Sequence, residues 1–369
     1  ILENIGASRK DMQQYCDALM NMFEQPFQIG TQEVTATLSA GIALFPEHGR
    51  QVDTLSNHAE KALQEAKRIG GRTLRFFNND VSIQSIEKIN LENALRKALS
   101  NDELTVYYQP KIDVKTQKID GFEALVRWIH PTKGLISPVQ FIPLAEETGL
   151  ISALGEIVLD KSCAQIKAWQ LQGFSEVRVS VNIVAQQLQR GNFVETIDRI
   201  LERHQVDPRW LELEITESSL MDGTAQVKEI LNEIKQRHIS IALDDFGTGY
   251  SSLSYLGQYP IDVLKVDRSF VMEVGISPSH EAIVRAVLAM GHSLGMLVVA
   301  EGVETMAHAE FLRDEGCDLL QGYLISKPLP AEQATAFLRQ MAQPDFQVLG
   351  EAFSENDVIQ PSASMNSAS

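Results

Sequence analysis

The run IALDDFGTGYSSL, residues 241–253, ends an apolar stretch in two adjacent carboxylates, Asp244 and Asp245, and then enters a loop of glycines and hydroxyls. Adjacent carboxylates repel each other and are costly to desolvate, so at the end of a buried strand they require a cation. An isolated Asp-Asp before Gly is otherwise an ordinary solvated turn. The two readings separate on whether other polar residues, from other segments, share the same location.

Several do. Period-two alternation places apolar and polar side chains on opposite faces of a strand. In LELEI, Leu211, Leu213 and Ile215 oppose Glu212 and Glu214; in IALD, Ile241 and Leu243 oppose Ala242 and Asp244. In VLKVD, Leu264 and Val266 oppose Lys265 and Asp267; in VSVN, Val179 and Val181 oppose Ser180 and Asn182; Glu123 and Arg127 share a parity. Glu123, Asn182, Glu214, Asp244, Asp245, Lys265 and Glu301 form a set, mostly near strand ends. Each alone has a plain structural reading: Glu212 and Glu214 an exposed edge, Asn182 a cap, Lys265 a snorkelling surface residue, Glu301 the start of a helix. Together they describe the rim of one site.

Carboxylates and an amide oxygen, with no His or Cys, are hard donors suited to Mg²⁺ or Mn²⁺ rather than Zn²⁺. The acidic groups exceed the needs of one ion. Two ions bridged by Asp244 would form a clamp for in-line attack of water on a phosphodiester. Lys265 would hold the water, Glu301 would take its proton, and Arg127 would meet the phosphate.

Such a set needs a scaffold that brings distant strand ends together. Eight β-like segments begin near residues 104, 121, 177, 211, 239, 262, 296 and 319, most of them separated by helical stretches. In one of these, EAIVRAVLAMGHSLG, the spacing puts Ile283, Val284, Val287, Leu288 and Leu294 on one face before Gly295. Alternating strands and helices predict parallel crossovers, and eight of them predict a closed (β/α)8 barrel. About ten residues separate the first two strands, too few for a helical crossover, so one antiparallel joint is expected there. The fold class is therefore α/β, a modified TIM-like barrel with one antiparallel strand.

Ahead of the barrel, EVTATLSAGIALF (33–45) reads as strand and TLSNHAEKALQEAKRI (54–69) as helix stopped by Gly70 and Gly71, a small α/β piece. The expected division is 1–78 for that piece, 79–102 for a polar linker and helix with Leu91, Leu95 and Leu99 on one stripe, 103–342 for the barrel, and 343–369 for a disordered tail. The 369 residues carry a net charge of −17, which disfavours wrapping long nucleic acid. Three distant cysteines, Cys16, Cys163 and Cys317, argue against a disulfide framework and for a reducing cytoplasm. No signal peptide or membrane-spanning run is read, so no membrane contact is expected of these residues. A start without Met suggests a piece of a longer protein, whose remainder could hold a sensor or an anchor.

EALVRW (123–128), LEITES (213–218), DDFGTGYSSL (244–253), LKVDRSFV (264–271), AEGVET (300–305) and QGYLISKPL (321–329), with YYQP at 107 and FIPLAEETGLI at 141, resemble the EAL domain of cyclic di-GMP phosphodiesterases. The ordered set covers about residues 90–342. The resemblance implies metal-dependent cleavage of cyclic di-GMP to linear pGpG and a homodimer through the EAL domain. It implies Glu123, Asn182, Glu214 and Asp244 as ligands of a first Mg²⁺ or Mn²⁺ ion, and Asp244 with Asp245 as those of a second. Lys265 and Glu301 resemble the residues around the attacking water, with Asp267, Glu304 and Gln321 in support. Glu217 resembles the anchor of the loop after Asp245, in which Gly247 and Gly249 would allow a fold back over the site and across a dimer contact. Gln109 and Gln321 join Arg127 as expected substrate contacts. The family usually reads Asn, an aliphatic residue and Ser, whereas here Val184 follows Asn182 and Ile183, so a hydroxyl near the ligand is lost.

Residues 1–77 resemble the C-terminal part of a GGDEF domain through VTATLSAGIALFPEHG and HAEKALQEAKRIGGR. The signature loop would precede Ile1, and Gly71 stands where Arg is common, so no cyclase activity is expected of these residues. Against the hydrolase stand two alternatives: a receptor barrel that binds cyclic di-GMP without cleaving it, and a Mg²⁺ lyase stabilising an enolate. Every metal-ligand and water-handling position is filled, which favours the hydrolase.

Overall fold

The computed structural model describes residues 27–29, 32–34, 38–68, 74–77, 79–189, 191–221, 225–247, 256–343 and 348–349. The chain divides into two compact units, residues 1–91 and 92–369.

In the first unit β1 (Phe27–Ile29) pairs antiparallel with β2 (Gln32–Val34), and β3 (Ala40–Ile42) pairs parallel with β4 (Leu74–Phe76) around helix α1 (Val52–Arg68). The single strand expected over 33–45 is replaced by short strands, with residues 35–37 outside the described set. After Ile42 the pairing stops, because Pro46 has no N–H to give and His48 closes a turn on Leu44 (His48 N to Leu44 O, 2.7 Å). Gly70 and Gly71 lie outside the described residues. Helix α2 (Asn79–Ala98) spans the division and buries Leu95.

The second unit is a closed barrel of β5 (Leu104–Asp113), β6 (Ile119–His130), β8 (Arg178–Ile183), β9 (Leu211–Thr216), β10 (Ser240–Phe246), β11 (Val263–Val266), β12 (Leu297–Ala300) and β13 (Leu319–Gln321). From β6 to β13 the neighbours run parallel, while β5 runs against both β6 and β13 and closes the ring. The expected antiparallel joint is thus present: only residues 114–118 connect β5 to β6, turned by Thr116 N donating to Asp113 Oδ1 at 2.7 Å. Short strands β7 (Gly134–Ile136) and β14 (Leu329–Pro330) flank the ring.

Both strand faces are buried, as a ring covered by helices demands. The outward residues Leu211, Leu213, Ile215, Ile241, Leu243, Leu264 and Val266 join the main core with Val158, Leu159, Cys163, Ile166 and Trp169 of α4 (Ile151–Leu171), which follows α3 (Pro138–Glu147), while Ala242, Val263, Val299 and Leu319 make a separate apolar cluster. Trp169 on α4 donates to Thr335 Oγ1 at 2.8 Å, tying α4 to the last helix. One expectation needs correcting. On the helix Pro278–Ser293 the buried face is Val284, Val287, Leu288 and Gly291, whereas Ile283 and Leu294 are exposed. The i, i+3, i+4, i+7 stripe starts at Val284 and leaves both of those residues outside it. Of the tail expected to be disordered, residues 344–347 and 350–369 lie outside the described residues, and Leu349 is buried. No helix among the described residues is long and apolar enough to cross a membrane.

Candidate active site

Lys265 sits at the middle of the polar interior, with an exposure of 0%. Its strand β11 is buried on both faces, so an inward Lys must find its partners inside the ring. Its Nζ lies 2.6 Å from Glu214 Oε2, 2.6 Å from Glu301 Oε1, 3.0 Å from Asp244 Oδ1 and 3.8 Å from Glu123 Oε2. Three strands, and the residue just after β12, thus aim four carboxylates at one ammonium. This excludes the surface reading of Lys265 and the exposed-edge reading of Glu212 and Glu214, both of which are buried.

Glu123 is clamped from both sides. Asn182 Nδ2 donates to its Oε1 at 2.7 Å and Gln321 Nε2 to its Oε2 at 2.5 Å, while the same Gln321 nitrogen lies 3.3 Å from Gln109 Oε1. Burial opposes ionisation of Glu123, but Lys265 and these hydrogen bonds outweigh it and hold the carboxyl below its usual range. For Glu214 burial prevails, aided by Glu123 and Asp244 and opposed by the two nearby lysines, and its pKa is pushed up to about 7. Glu301 is likewise raised, by burial first, although Lys265 opposes the shift. Lys265 stays charged because Asp244, Glu123, Glu214 and Glu301 overcome its own desolvation.

Sequence reasoning missed the polar group beside this one. Lys111, buried, donates to Ser180 Oγ and to Glu212 Oε1 (2.7 Å), and lies 3.4 Å from Glu214 Oε1. Ser180 Oγ gives a further bond to Glu212 Oε1 at 2.6 Å. Burial would raise Glu212, but Lys111, the bond from Ser180 and Arg178 bring it to about 2. The available signal was parity: Lys111 is two residues from Gln109 on β5, so both point inward.

Beyond β10 the chain turns sharply. Asp245 has a φ of 55° and Gly247 a φ of 96°. A Cβ on Gly247 would stand 3.0 Å from the Phe270 ring, so this position needs glycine for both backbone and space. Glu217 Oε2 accepts from Gly247 N at 3.1 Å, as an anchor of this loop would. Thr248, Gly249 and Tyr250, and with them the expected fold back over the site, lie outside the described residues. Asp245 is exposed, and its pKa is raised by partial burial, then by Asp244 and Asp267.

Other expected residues make their own contacts around this group. Asp267 caps the helical turn that follows it by accepting from Ser269 N at 2.9 Å, and Glu304 pairs with Arg268 at 2.9 Å. Arg127 donates to Val126 O at 2.9 Å with its guanidinium 5.4 Å from the Tyr107 ring centre. Where Val184 has no hydroxyl to offer, Gln187 Oε1 accepts from Val184 N at 3.1 Å and fixes the backbone just after Asn182.

Chemically, Lys111 and Lys265 face five carboxylates, Glu123, Glu212, Glu214, Asp244 and Glu301. Among the described residues no three acidic, His or Cys side chains form a ready ion cage, since the oxygens converge on Lys265 instead. The donor set still fits hard divalent cations: the oxygens belong to carboxylates and amides, negative charge is in surplus, and the raised Glu214 and Glu301 register that surplus.

The family model described as "EAL domain" matches residues 92–328, and that described as "Diguanylate cyclase, GGDEF domain" matches residues 1–73. The cyclic di-GMP phosphodiesterase NbdA of Pseudomonas aeruginosa is 39% identical over 321 residues, covering 87% of this chain and 41% of NbdA. The bifunctional diguanylate cyclase/cyclic di-GMP phosphodiesterase MucR of the same organism is 41% identical over 320 residues, 87% of this chain and 47% of MucR. The chain therefore spans less than half the length of these two relatives. A solved structure of the MucR phosphodiesterase in complex with c-di-GMP superposes with a TM-score of 0.64 at 44% identity, covering 66% of this chain and 99% of that one. With a family model matched over more than half its residues and the same fold in a solved relative, the chain belongs to the EAL-domain family.

Proposed function

We propose that residues 103–342 hydrolyse one phosphodiester bond of cyclic di-GMP to linear pGpG, lowering a bacterial second messenger. The observation that supports this most is the convergence of Glu123, Glu214, Asp244 and Glu301 within 4 Å of a single cation, the Lys265 ammonium, at the polar interior of the barrel. Similarity to relatives named for this activity points the same way.

Glu123, Asn182, Glu214, Asp244 and Asp245 would hold two Mg²⁺ or Mn²⁺ ions, which supply charge neutralisation and Lewis acidity at the phosphodiester. Lys265 orients the attacking water through its ammonium, and Glu301, 2.6 Å from that ammonium, takes the water's proton. A carboxyl raised by burial is a better proton acceptor than an ordinary one. Arg127 meets the phosphate, with Gln109 and Gln321 at the substrate. Gln321 and Asn182 keep Glu123 oriented, and Glu217 pins the loop after Asp245 through Gly247. Asp267 and Glu304 support from outside the cluster. We further infer a cytoplasmic setting, which suits the free, buried Cys163 and Cys317, and a homodimer through the barrel.

The test is incubation of the chain with cyclic di-GMP and Mg²⁺ or Mn²⁺, followed by chromatography for pGpG. Appearance of pGpG that stops on chelation is expected. Tight binding of intact cyclic di-GMP without pGpG would make the barrel a receptor.

A further inference from the structure

The two oxygens of Glu214 are held by different lysines. Lys265 Nζ is 2.6 Å from Oε2 and Lys111 Nζ is 3.4 Å from Oε1. These lysines differ in their surroundings. Lys265 shares its charge with Asp244 and Glu301, whose side chains keep 12% and 18% of their surface open. Lys111 is enclosed by Ser180 and Glu212, which are no more than 1% exposed. Glu212 is itself fixed by Ser180 Oγ at 2.6 Å, by Ser240 Oγ at 3.1 Å and by Arg178, 3.6 Å from its Oε2.

We propose that Lys111 is a positioning residue, a fixed inner counterion that retains Oε1 of Glu214 so that Oε2, shared with Lys265, is the oxygen that turns to a divalent cation. This rests on the reading of Glu214 as a metal ligand. Lys265 has other carboxylates to turn to when a cation takes Oε2, whereas Lys111, itself buried, has among the described residues only Ser180 and Glu212 beside Glu214. The carboxylate therefore rotates about a held oxygen instead of drifting. Support of this kind around a metal ligand is worth about 10–100-fold in affinity.

The test uses the full chain and Mn²⁺ alone, with binding read from the electron paramagnetic resonance signals of free and bound ion. Lys111→Met combined with Glu212→Gln removes one positive and one negative charge, leaving the net charge near Glu214 unchanged. Mn²⁺ binding about tenfold weaker than wild type, with an altered bound-ion signal and an unfolding temperature close to wild type, is expected. Wild-type affinity in the folded double variant would overturn the role of Lys111. Absence of Mn²⁺ binding by the wild type would instead overturn the metal reading on which it stands. Should the double variant not fold, Ser180→Ala removes a partner of Lys111 without a charge change; weaker Mn²⁺ binding supports the proposal and unchanged binding refutes it.

Discussion

Lys265 Nζ stands 2.6 Å from Glu214 Oε2, with both side chains wholly buried. Truncating one member of such a pair leaves the other charged in a dry interior and typically costs about 3–5 kcal/mol. Lys265→Ala is expected to unfold at markedly lower denaturant when chelator is present. Mn²⁺ should restore much of that loss by neutralising the same carboxylates. Turnover should drop by orders of magnitude while cyclic di-GMP binding persists, measured by calorimetry beside the pGpG assay. A variant as stable and active as wild type would discard the central pairing.

Glu123 accepts from Asn182 and Gln321 together, so Glu123→Ala frees two side chains as well as removing a carboxylate. Product formation is expected to fall to roughly a hundredth or less, consistent with the loss of a ligand and of its support. Asp244→Asn should do the same without the cavity. Chromatographic assay of both at saturating Mn²⁺ is the check, and near-normal rates in either would remove that residue from the site.

Gly247→Ala meets two obstacles, a φ of 96° and the Phe270 ring 3.0 Å from the new Cβ. A loss of about 1–3 kcal/mol is expected from backbone strain of this kind. Adding Phe270→Leu should relieve the steric part alone, so the double variant remains less stable than Phe270→Leu by itself. Full recovery on chemical denaturation would show that the left-handed backbone carries no cost.

Burial, reinforced by Asp160, pushes the Cys163 thiol up to about 12, and burial with Asp318 does the same for Cys317. With Cys16 replaced by Ser, the native protein is expected to resist Ellman's reagent at pH 7 and at pH 9, where a free thiol with a pKa of about 8.5 is largely ionised. Both thiols should react once guanidinium unfolds the barrel. Rapid native labelling of either would contradict its burial.

Much of this arrangement was legible in the letters. Period-two alternation correctly turned Glu214, Asp244 and Lys265 inward, and the short connection between the first two strands, about ten residues in the letters and 114–118 in the structure, announced the antiparallel strand. Parity could not say which carboxylate meets which cation. Lys265 read as a water-handling residue, yet in the structure it is also the counterion of four acids. Parity placed Glu212 beside Glu214 but gave it no partner, because Lys111 lies about a hundred positions away and joins it only when the ring closes. Asp267 and Glu304 were grouped with the site by motif; parity and spacing alone did not show that Asp267 caps its own turn through Ser269 or that Glu304 pairs with Arg268, 36 positions away.

The reversed direction of β5 has an effect on how force would travel through the barrel. Leu104 pairs with Trp128 and Asp113 lies at the opposite end, so the incoming polypeptide joins the ring on the rim where the parallel strands finish. Tension on the segment just before Leu104 would reach Tyr107, Gln109 and their neighbour Arg127 before it reached the floor of the barrel. A push from upstream thus has a path of only a few peptide bonds to the rim where the parallel strands finish.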